Sequence, residues 1–372
     1  MNHDIPQIDD SQMLNKDRLS EILITLYEWG IDDVLLQDGE VIGVQRYGNL
    51  ISVGKRPLVL DEIEAVLNEM HMTSSAGMLR KGSDHDFAFA VKKDRNTSYR
   101  FRVNATASLG LHGSPVGVDI TMRQIPSVPP DMEALGFDER LAEALFPRTG
   151  IVIMGGATGS GKTTSIAAIM KKILTSSDPK RVLSYESPVE YDLRNIANRT
   201  GRISQVEVYQ NLPDYAKATS NALRRHPDVI YLGEARDAET IKGAIDNAET
   251  GHAAYTTVHV NSASETFSRM IGVFSPQDRS RALSGLIGST RVLIYQTLVQ
   301  TVDGRRAAAR EYLIMTDALR EELYATPEDQ VTRVMKRMVQ DHGCPLIESV
   351  RRLYEAGKVS RETFGRYQME VS

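Results

Sequence analysis

Between Gly156 and Thr163 the chain reads GATGSGKT: a glycine, four residues, then Gly161, Lys162 and a hydroxyl residue. That spacing suits the cradling of a phosphate chain. Glycines let backbone N–H groups approach phosphate oxygens, and a helix starting at once adds the positive end of its dipole. Lys162 is placed to reach the β- and γ-phosphates of a nucleotide, and the Thr163 hydroxyl to ligate magnesium. The candidate phosphate-binding set is Gly156, Ala157, Thr158, Gly159, Ser160, Gly161, Lys162, Thr163 and Thr164, against the bland alternative of a structural glycine turn.

Three acids follow short apolar runs. Glu234 closes the stretch from Val229 to Gly233, and Glu186 and Glu190 close the stretch that starts at Val182. Magnesium takes oxygen ligands, directly or through water, and an attacking water needs a positioned acceptor. Taken singly, each acid could equally be a solvated loop residue. His252 and His259 flank another strand-like run, Ala253 to Val258, without the spacing of a zinc site.

These residues need elements to position them. Ile151 to Met154 reads as a buried parallel strand, and Ile166, Ile169, Met170, Ile173 and Leu174 recur at helical spacing. Strand, glycine turn and helix thus follow in the order that the phosphate loop requires. Ligands of parallel sheets bind beyond the carboxyl ends of the strands, which places Glu234, Glu186 and Glu190 beside that loop. From about residue 138 to Leu298 apolar strands alternate with helices, the pattern of a parallel α/β sheet, and after Glu311 the chain reads as mostly helical.

The amino-terminal third has a different rhythm. Met1 to about Lys16 is polar and expected to fray. Leu19 to Trp29 is an amphipathic helix ended by Gly30, and Pro57 to Met70 a second helix with Asp61 as its N-cap. Strand-like pieces at Val34–Leu36, Val41–Gln45, Leu50–Val53, Asp86–Val91, Tyr99–Ala105 and Gly117–Arg123 complete an α+β unit with an antiparallel sheet. The proline-rich run from Ile125 to Pro130 cannot continue a helix or strand for long. The expected division is therefore residues 1–124, a linker over 125–137, a nucleotide-binding domain over 138–310 and a helical extension over 311–372.

Composition narrows the function. The 372 residues include 41% hydrophobic and 25% charged side chains, and no apolar run approaches a membrane span. The polar start is not a signal peptide, so the protein is expected in the cytoplasm. Cys344 is the single cysteine, which leaves no intrachain disulfide or cysteine-cluster metal site and reads as a buried or inert thiol. A net charge of -5 supplies no global attraction to nucleic acid, and no direct DNA binding is expected.

The stretches GATGSGKTT, YESPVEY, RHPDVIYLGEARDAETI and ETGHAAYTTVH resemble, in order and spacing, the Walker A, Asp box, Walker B and His box of the secretion-superfamily traffic ATPases. Within them the chain is most similar to the PilT-related branch of type IVB secretion and conjugation, the DotB and TraJ type. Gly30 to Leu36 resembles that family's N-terminal PAS-like strand, and Tyr99 to Asn104 its arginine-bearing one. The resemblance implies a PAS-like α+β domain joined by a linker to a RecA-like P-loop domain, ATP and Mg2+ as cofactors, and a homohexamer. It implies that Glu190 is the general base, that Glu234 holds magnesium through water, and that His259 and His252 sense the γ-phosphate or contact a neighbouring nucleotide site. Arg100, Arg102 and Arg123 match positions that supply charge to a phosphate, with surface salt bridges as the alternative. It further implies recruitment to the cytoplasmic face of the inner membrane by a membrane-embedded type IV secretion complex. Ser187 stands where relatives usually carry aspartate, Leu35 replaces a frequent histidine, and Val331 to Tyr367 lacks the retraction signature of pilus motors. A nucleic-acid motor and a non-hydrolysing ATP-binding assembly protein are the rival readings.

Overall fold

The structure, a computed structural model, describes residues 5–71, 74–95, 97–111, 116–125 and 128–371. The chain forms two compact units, divided between Ser127 and Val128.

The first unit opens with helix α1 (Lys16–Trp29), capped by the Asn15 side chain and closed by Gly30 in the left-handed region at φ 79°. Strands β1 (Asp33–Gln37), β2 (Val41–Arg46) and β3 (Asn49–Pro57) follow, then helices α2 (Leu60–Met70) and α3 (Ser75–Leu79), then β4 (His85–Lys92), β5 (Ser98–Ser108) and β6 (Gly117–Ile125). The strands make one antiparallel sheet in the order β3-β2-β1-β6-β5-β4. Alternation decides its faces: Phe87, Phe89, Val91, Phe101 and Val103 point to a core shared with Leu19, Leu23 and Leu26 of α1 and Ile63 and Val66 of α2.

Two expectations for this unit are corrected. The segment before α1 does not fray over its described residues. Ile8 and Leu14 are buried, and the Asp10 carboxylate accepts from the backbone N–H groups of Lys55 and Arg56 at 2.6 and 3.2 Å. Asp61 does not cap α2. The N-cap is Val59, two positions earlier, whose N–H donates to Glu62 Oε1 at 2.7 Å, because Glu62 is buried beneath Arg56 and ties this corner together.

The second unit contains α4 (Glu139–Ala144), β7 (Gly150–Gly155), α5 (Lys162–Leu174), β8 (Arg181–Glu186), β9 (Arg202–Glu207), α6 (Tyr215–Ala222), β10 (Val229–Leu232), α7 (Ala238–Glu249) and β11 (Ala253–Val258). It continues with α8 (Thr266–Ile271), α9 (Arg279–Ser289), β12 (Thr290–Gln300), β13 (Arg306–Ile314) and four helices, α10 (Asp317–Tyr324), α11 (Val331–His342), α12 (Leu346–Glu355) and α13 (Arg361–Val371). The sheet order is β13-β12-β7-β11-β10-β8-β9, parallel throughout except for β13. Helices cover both faces. On β7, Ile151 and Ile153 join the core formed with α7, while Val152 and Met154 join the core formed with α5.

The expected linker and extension shift accordingly. Pro126 and Ser127 lie outside the described residues, and Val128 to Phe137 belongs to the second unit: Met132 is buried in its core, and Lys171 Nζ donates to the Pro129 carbonyl at 3.1 Å. Glu311 falls inside β13, which pairs with β12 through Ile314, so the helical tail begins at Asp317. The alternating Ala309, Glu311, Leu313 and Arg310, Tyr312 faces of that strand were masked by its alanine-rich start. Cys344 is a buried free thiol whose backbone bridges to Tyr312.

Candidate functional site

The phosphate loop takes the shape its glycines permit. Gly156, Gly159 and Gly161 have φ of 150°, 77° and 81°, which only glycine adopts without strain. At Gly156 a Cβ would lie 2.4 Å from the Gln296 carbonyl oxygen. Gly161 immediately precedes α5, so the helix's unpaired N–H groups face the loop. Ala157, Thr158 and Gly159 are exposed at the tip, and Ser160 is buried at its base. Lys162 is buried, and its ammonium donates to the carbonyls of Gly156 and Ala157 at 2.8 and 2.9 Å. Burial pulls its pKa down, and the nearby carboxylates of Glu234 and Glu190 oppose that pull. Thr163 stands in the first turn of α5, while the Thr164 hydroxyl is 3.1 Å from the Tyr191 hydroxyl.

The carboxylates arrive at the same sheet edge. Glu186 ends β8 and is buried, accepting from Ser184 Oγ at 2.6 Å and Gln205 Nε2 at 3.2 Å. A cis peptide links Ser187 to Pro188, and Glu190 follows on the turn. That turn is held from behind: Glu207, opposite Glu186 in the ladder, accepts from the Val189 N–H at 3.3 Å. Glu234, just beyond β10, sits 2.7 Å from Arg236 Nε and 3.3 Å from His259 Nε2. Glu186, Glu190 and Glu234 all push the buried Tyr231 phenol upward, after burial itself. His259 directly follows β11; burial and the Lys162 charge hold its imidazole below the ordinary value, partly countered by Glu234.

The two histidines separate. His252 precedes β11 and is held by Asn247 O at 3.0 Å and Thr250 Oγ1 at 3.1 Å. Its neighbour Ala253 pairs with Gly150, at the end of β7 remote from the phosphate loop. Seven residues of strand span about 23 Å, so His252 does not join His259 within the chain.

Arg100, Arg102 and Arg123 share the polar face of the first unit's sheet, with Arg102 directly opposite Arg123. Arg102 forms a forked pair with Asp86 at 3.0 and 2.5 Å, and Arg123 with Asp33 at 2.8 and 3.1 Å. Salt bridges thus engage Arg102 and Arg123 within their own unit.

Four participants escaped the sequence reading: Glu207, Gln205, Gln296 and Arg310. Gln296 Nε2 donates to the Ser160 carbonyl at 2.7 Å, and its Oε1 accepts from Ser165 Oγ and Arg310 Nε, both at 2.8 Å. The available signal was a polar side chain within an apolar strand, Gln296 amid Leu293, Ile294 and Leu298. A cavity of about 500 Å³ begins at Gly161 and Thr164 and is walled by Leu135, Gln296, Leu298 and Arg306.

A hard, oxygen-preferring ion fits these donors: the Thr163 hydroxyl and the Glu234 carboxylate, beside bound phosphates. Among the described residues no cluster of three or more His, Cys, Asp or Glu forms a protein-only metal cage, and no helix is long and apolar enough to cross a membrane.

Comparison with known proteins agrees with this geometry. The type II/IV secretion system protein family matches residues 42–368. The type IV pilus retraction ATPase PilT of Pseudomonas aeruginosa is 30% identical over 348 residues, 92% of this chain and 96% of that protein. Among solved structures, the ATPase DotB of Legionella pneumophila superposes with a TM-score of 0.83 at 33% identity, covering 99% of this chain and 100% of that one. The pilus retraction motor PilT with bound ADP superposes with a TM-score of 0.79 at 27% identity, covering 96% and 97%. A phosphate loop, strand-end acids and a two-unit α/β fold that matches secretion and pilus ATPases over nearly its whole length identify this chain as a member of the type II/IV secretion system protein family.

Proposed function

We propose that the chain hydrolyses ATP, with Mg2+, as one subunit of a homohexameric motor that powers a type IVB secretion or conjugative transfer apparatus. The observation that carries the hydrolytic part is the convergence of Lys162, Glu190, Glu234 and His259 at the carboxyl edge of one parallel sheet. The loop amides and Lys162 bind the phosphates, and the cavity beside Gly161 and Thr164 takes the nucleoside. Thr163 and, through water, Glu234 would hold the magnesium ion, which would supply charge neutralisation for the bound phosphates. Glu190, on its braced turn, accepts a proton from the attacking water. His259, beside Glu234 at 3.3 Å, reads the γ-phosphate, and Glu186 keeps the strand end rigid through Ser184 and Gln205.

The finer assignments belong to the same reading. The N-terminal unit is PAS-like and the second RecA-like. Arg100, Arg102 and Arg123 contribute charge toward a phosphate, Arg102 and Arg123 after exchanging their carboxylate partners, and His252 serves a neighbouring subunit's site. The motor works in the cytoplasm at the inner membrane, docked on membrane-embedded secretion components and without direct DNA binding. The likeness to DotB, at higher identity than to the PilT structure, favours secretion. A pilus motor is the second reading, favoured by the PilT relative and by the PilU ATPase of Pseudomonas aeruginosa at 29% identity.

The test is the ATPase rate per subunit over a concentration series, with mass measured alongside, for wild type and Glu190→Gln. A rate that rises with assembly into a sixfold ring and collapses in the variant is expected. A concentration-independent rate, untouched by the variant, overturns both ring and base.

A further inference from the structure

Arg310 is an unusual residue to find in β13. It is 3% exposed, yet among the described residues no carboxylate lies within ion-pair distance of it. Asp138, the one acid whose field it feels, already serves the Arg352 guanidinium at 3.3 Å and the Tyr312 hydroxyl at 2.9 Å. The guanidinium is instead solvated by neutral groups. Nε donates to Gln296 Oε1 at 2.8 Å, one terminal nitrogen to the Leu135 carbonyl at 3.0 Å, and the other to Ser165 Oγ at 3.4 Å. Its flat face lies 3.7 Å from the centroid of the Phe137 ring. Burial pushes its pKa down to about 10.

A buried cation without a counterion is expensive, and a fold with no use for one would carry a hydrocarbon there. The location suggests the use. Two of the three acceptors, Gln296 and Ser165, also touch the phosphate loop or its helix. Gln296 holds the Ser160 carbonyl, and Ser165 lies in the first turn of α5. Leu135, Ser165 and Gln296 all line the cavity that opens at Gly161 and Thr164. The charge therefore stands one side chain behind the wall of the proposed nucleotide site, in a low-dielectric setting where an anion's field reaches it with little screening.

We propose that Arg310, acting through Gln296 and Ser165, is a positioning residue for the nucleotide: the bound phosphates supply the countercharge that the protein's own side chains do not, and the relay sets the height of the loop at Ser160. It rests on the nucleotide-binding reading above. The relay ends at Leu135 and Phe137, in the first described segment after the unit boundary, so occupancy of the loop is also felt where the second unit begins.

The experiment is equilibrium binding of a fluorescent ADP analogue to the full chain, with the melting temperature of nucleotide-free protein, for wild type, Lys162→Ala, Arg310→Met and Arg310→Gln. Arg310→Met removes the charge while filling much of the volume. Arg310→Gln removes the charge but keeps an N–H donor for the surrounding oxygens, and leaves the Gln296 bond to the Ser160 carbonyl untouched. Both are expected to weaken ADP binding at least fivefold, with melting temperatures equal to or above wild type, because an uncompensated buried charge has been removed. A merely structural arginine would give the reverse: lower melting temperatures and folded protein that binds ADP like wild type. An affinity change below fivefold in either folded variant overturns the inference. Should Arg310→Met not fold, Arg310→Gln decides by the same threshold. If wild type binds no ADP, or Lys162→Ala binds it as tightly, the nucleotide reading itself fails; loss in Lys162→Ala alone overturns only the role of Arg310.

Discussion

Replacing Lys162 by alanine removes the ammonium that the phosphate loop holds. Its two hydrogen bonds, to Gly156 O at 2.8 Å and Ala157 O at 2.9 Å, must be loosened or shared when a phosphate enters. One unit-charge contact about 3.5 Å long, at an effective dielectric constant of about 20, gains roughly 5 kcal/mol. Loosening two hydrogen bonds from a charged donor gives back roughly 2 kcal/mol. The variant should therefore lose about 3 kcal/mol, or roughly a hundredfold in affinity for ATP or ADP. Nucleotide-free protein should also melt lower, because two carbonyls lose their donor at about 1–3 kcal/mol for an unsatisfied buried group. Equilibrium titration with a fluorescent nucleotide, paired with thermal melting, reads both quantities. An affinity within fivefold of wild type together with a lowered melting temperature would refute the reasoning, for it would make Lys162 a brace of the loop rather than a ligand of phosphate.

Three other outcomes are expected. Gly156→Ala forces a Cβ to 2.4 Å from the Gln296 carbonyl at a φ of 150°; both are backbone constraints, so nucleotide binding should be lost and stability should fall by more than about 2 kcal/mol, measurable by denaturant melts. Glu234→Gln removes the carboxylate 3.3 Å from His259 Nε2 and should shift the His259 titration further down in an NMR pH series; an unmoved or raised value would show that the pair does not interact in solution. Burial holds the Glu311 carboxyl above its usual range, so its contribution to stability is fully present below the unfolded value and is lost as pH rises through the folded one. Glu311→Gln should therefore flatten the loss of stability from mildly acidic to neutral pH, and an unchanged stability profile would count against the raised value.

Much of the site was legible because its chemistry is local. The loop, its strand and its helix are contiguous, and periodicity alone separates Val152 and Met154 from Ile151 and Ile153 onto the two cores they occupy. Strand-end acids were legible for a topological reason, since every parallel strand delivers its carboxyl end to one edge. What stayed hidden is long-range. Nothing near Glu207 in the chain says that it braces the turn of Glu190, and Gln296 and Arg310 lie 136 and 145 or more positions from the loop groups they hold. His252 and His259 part company because a strand has two ends, and only the end at His259 lies at the phosphate-loop edge of the sheet. Asp61 looked like a cap because its type suits one, but Glu62 reaches the orphan N–H from inside the helix.

The antiparallel direction of β13 matters to how such a site can work. The parallel strands β7, β8, β10 and β11 contribute acids, a histidine and the loop at their carboxyl ends, so each of these groups can contact ligand directly and move with its own loop. Strand β13 runs the other way at the sheet's edge, and pairs Arg310 with Gln296 in register, which fixes both side chains on rigid backbone behind the loop. Glu311, one residue on, points to the opposite side and accepts from the Ala263 N–H at 2.7 Å, two residues past Asn261 in the loop that His259 begins. One strand thus braces the phosphate loop through Arg310 and the histidine loop through Glu311. Ser349 in helix α12 accepts the Arg310 N–H at 2.9 Å. Under the proposed hydrolysis, a shift of either loop would be resisted by, or passed into, β13 and the carboxyl-terminal helices that hold it.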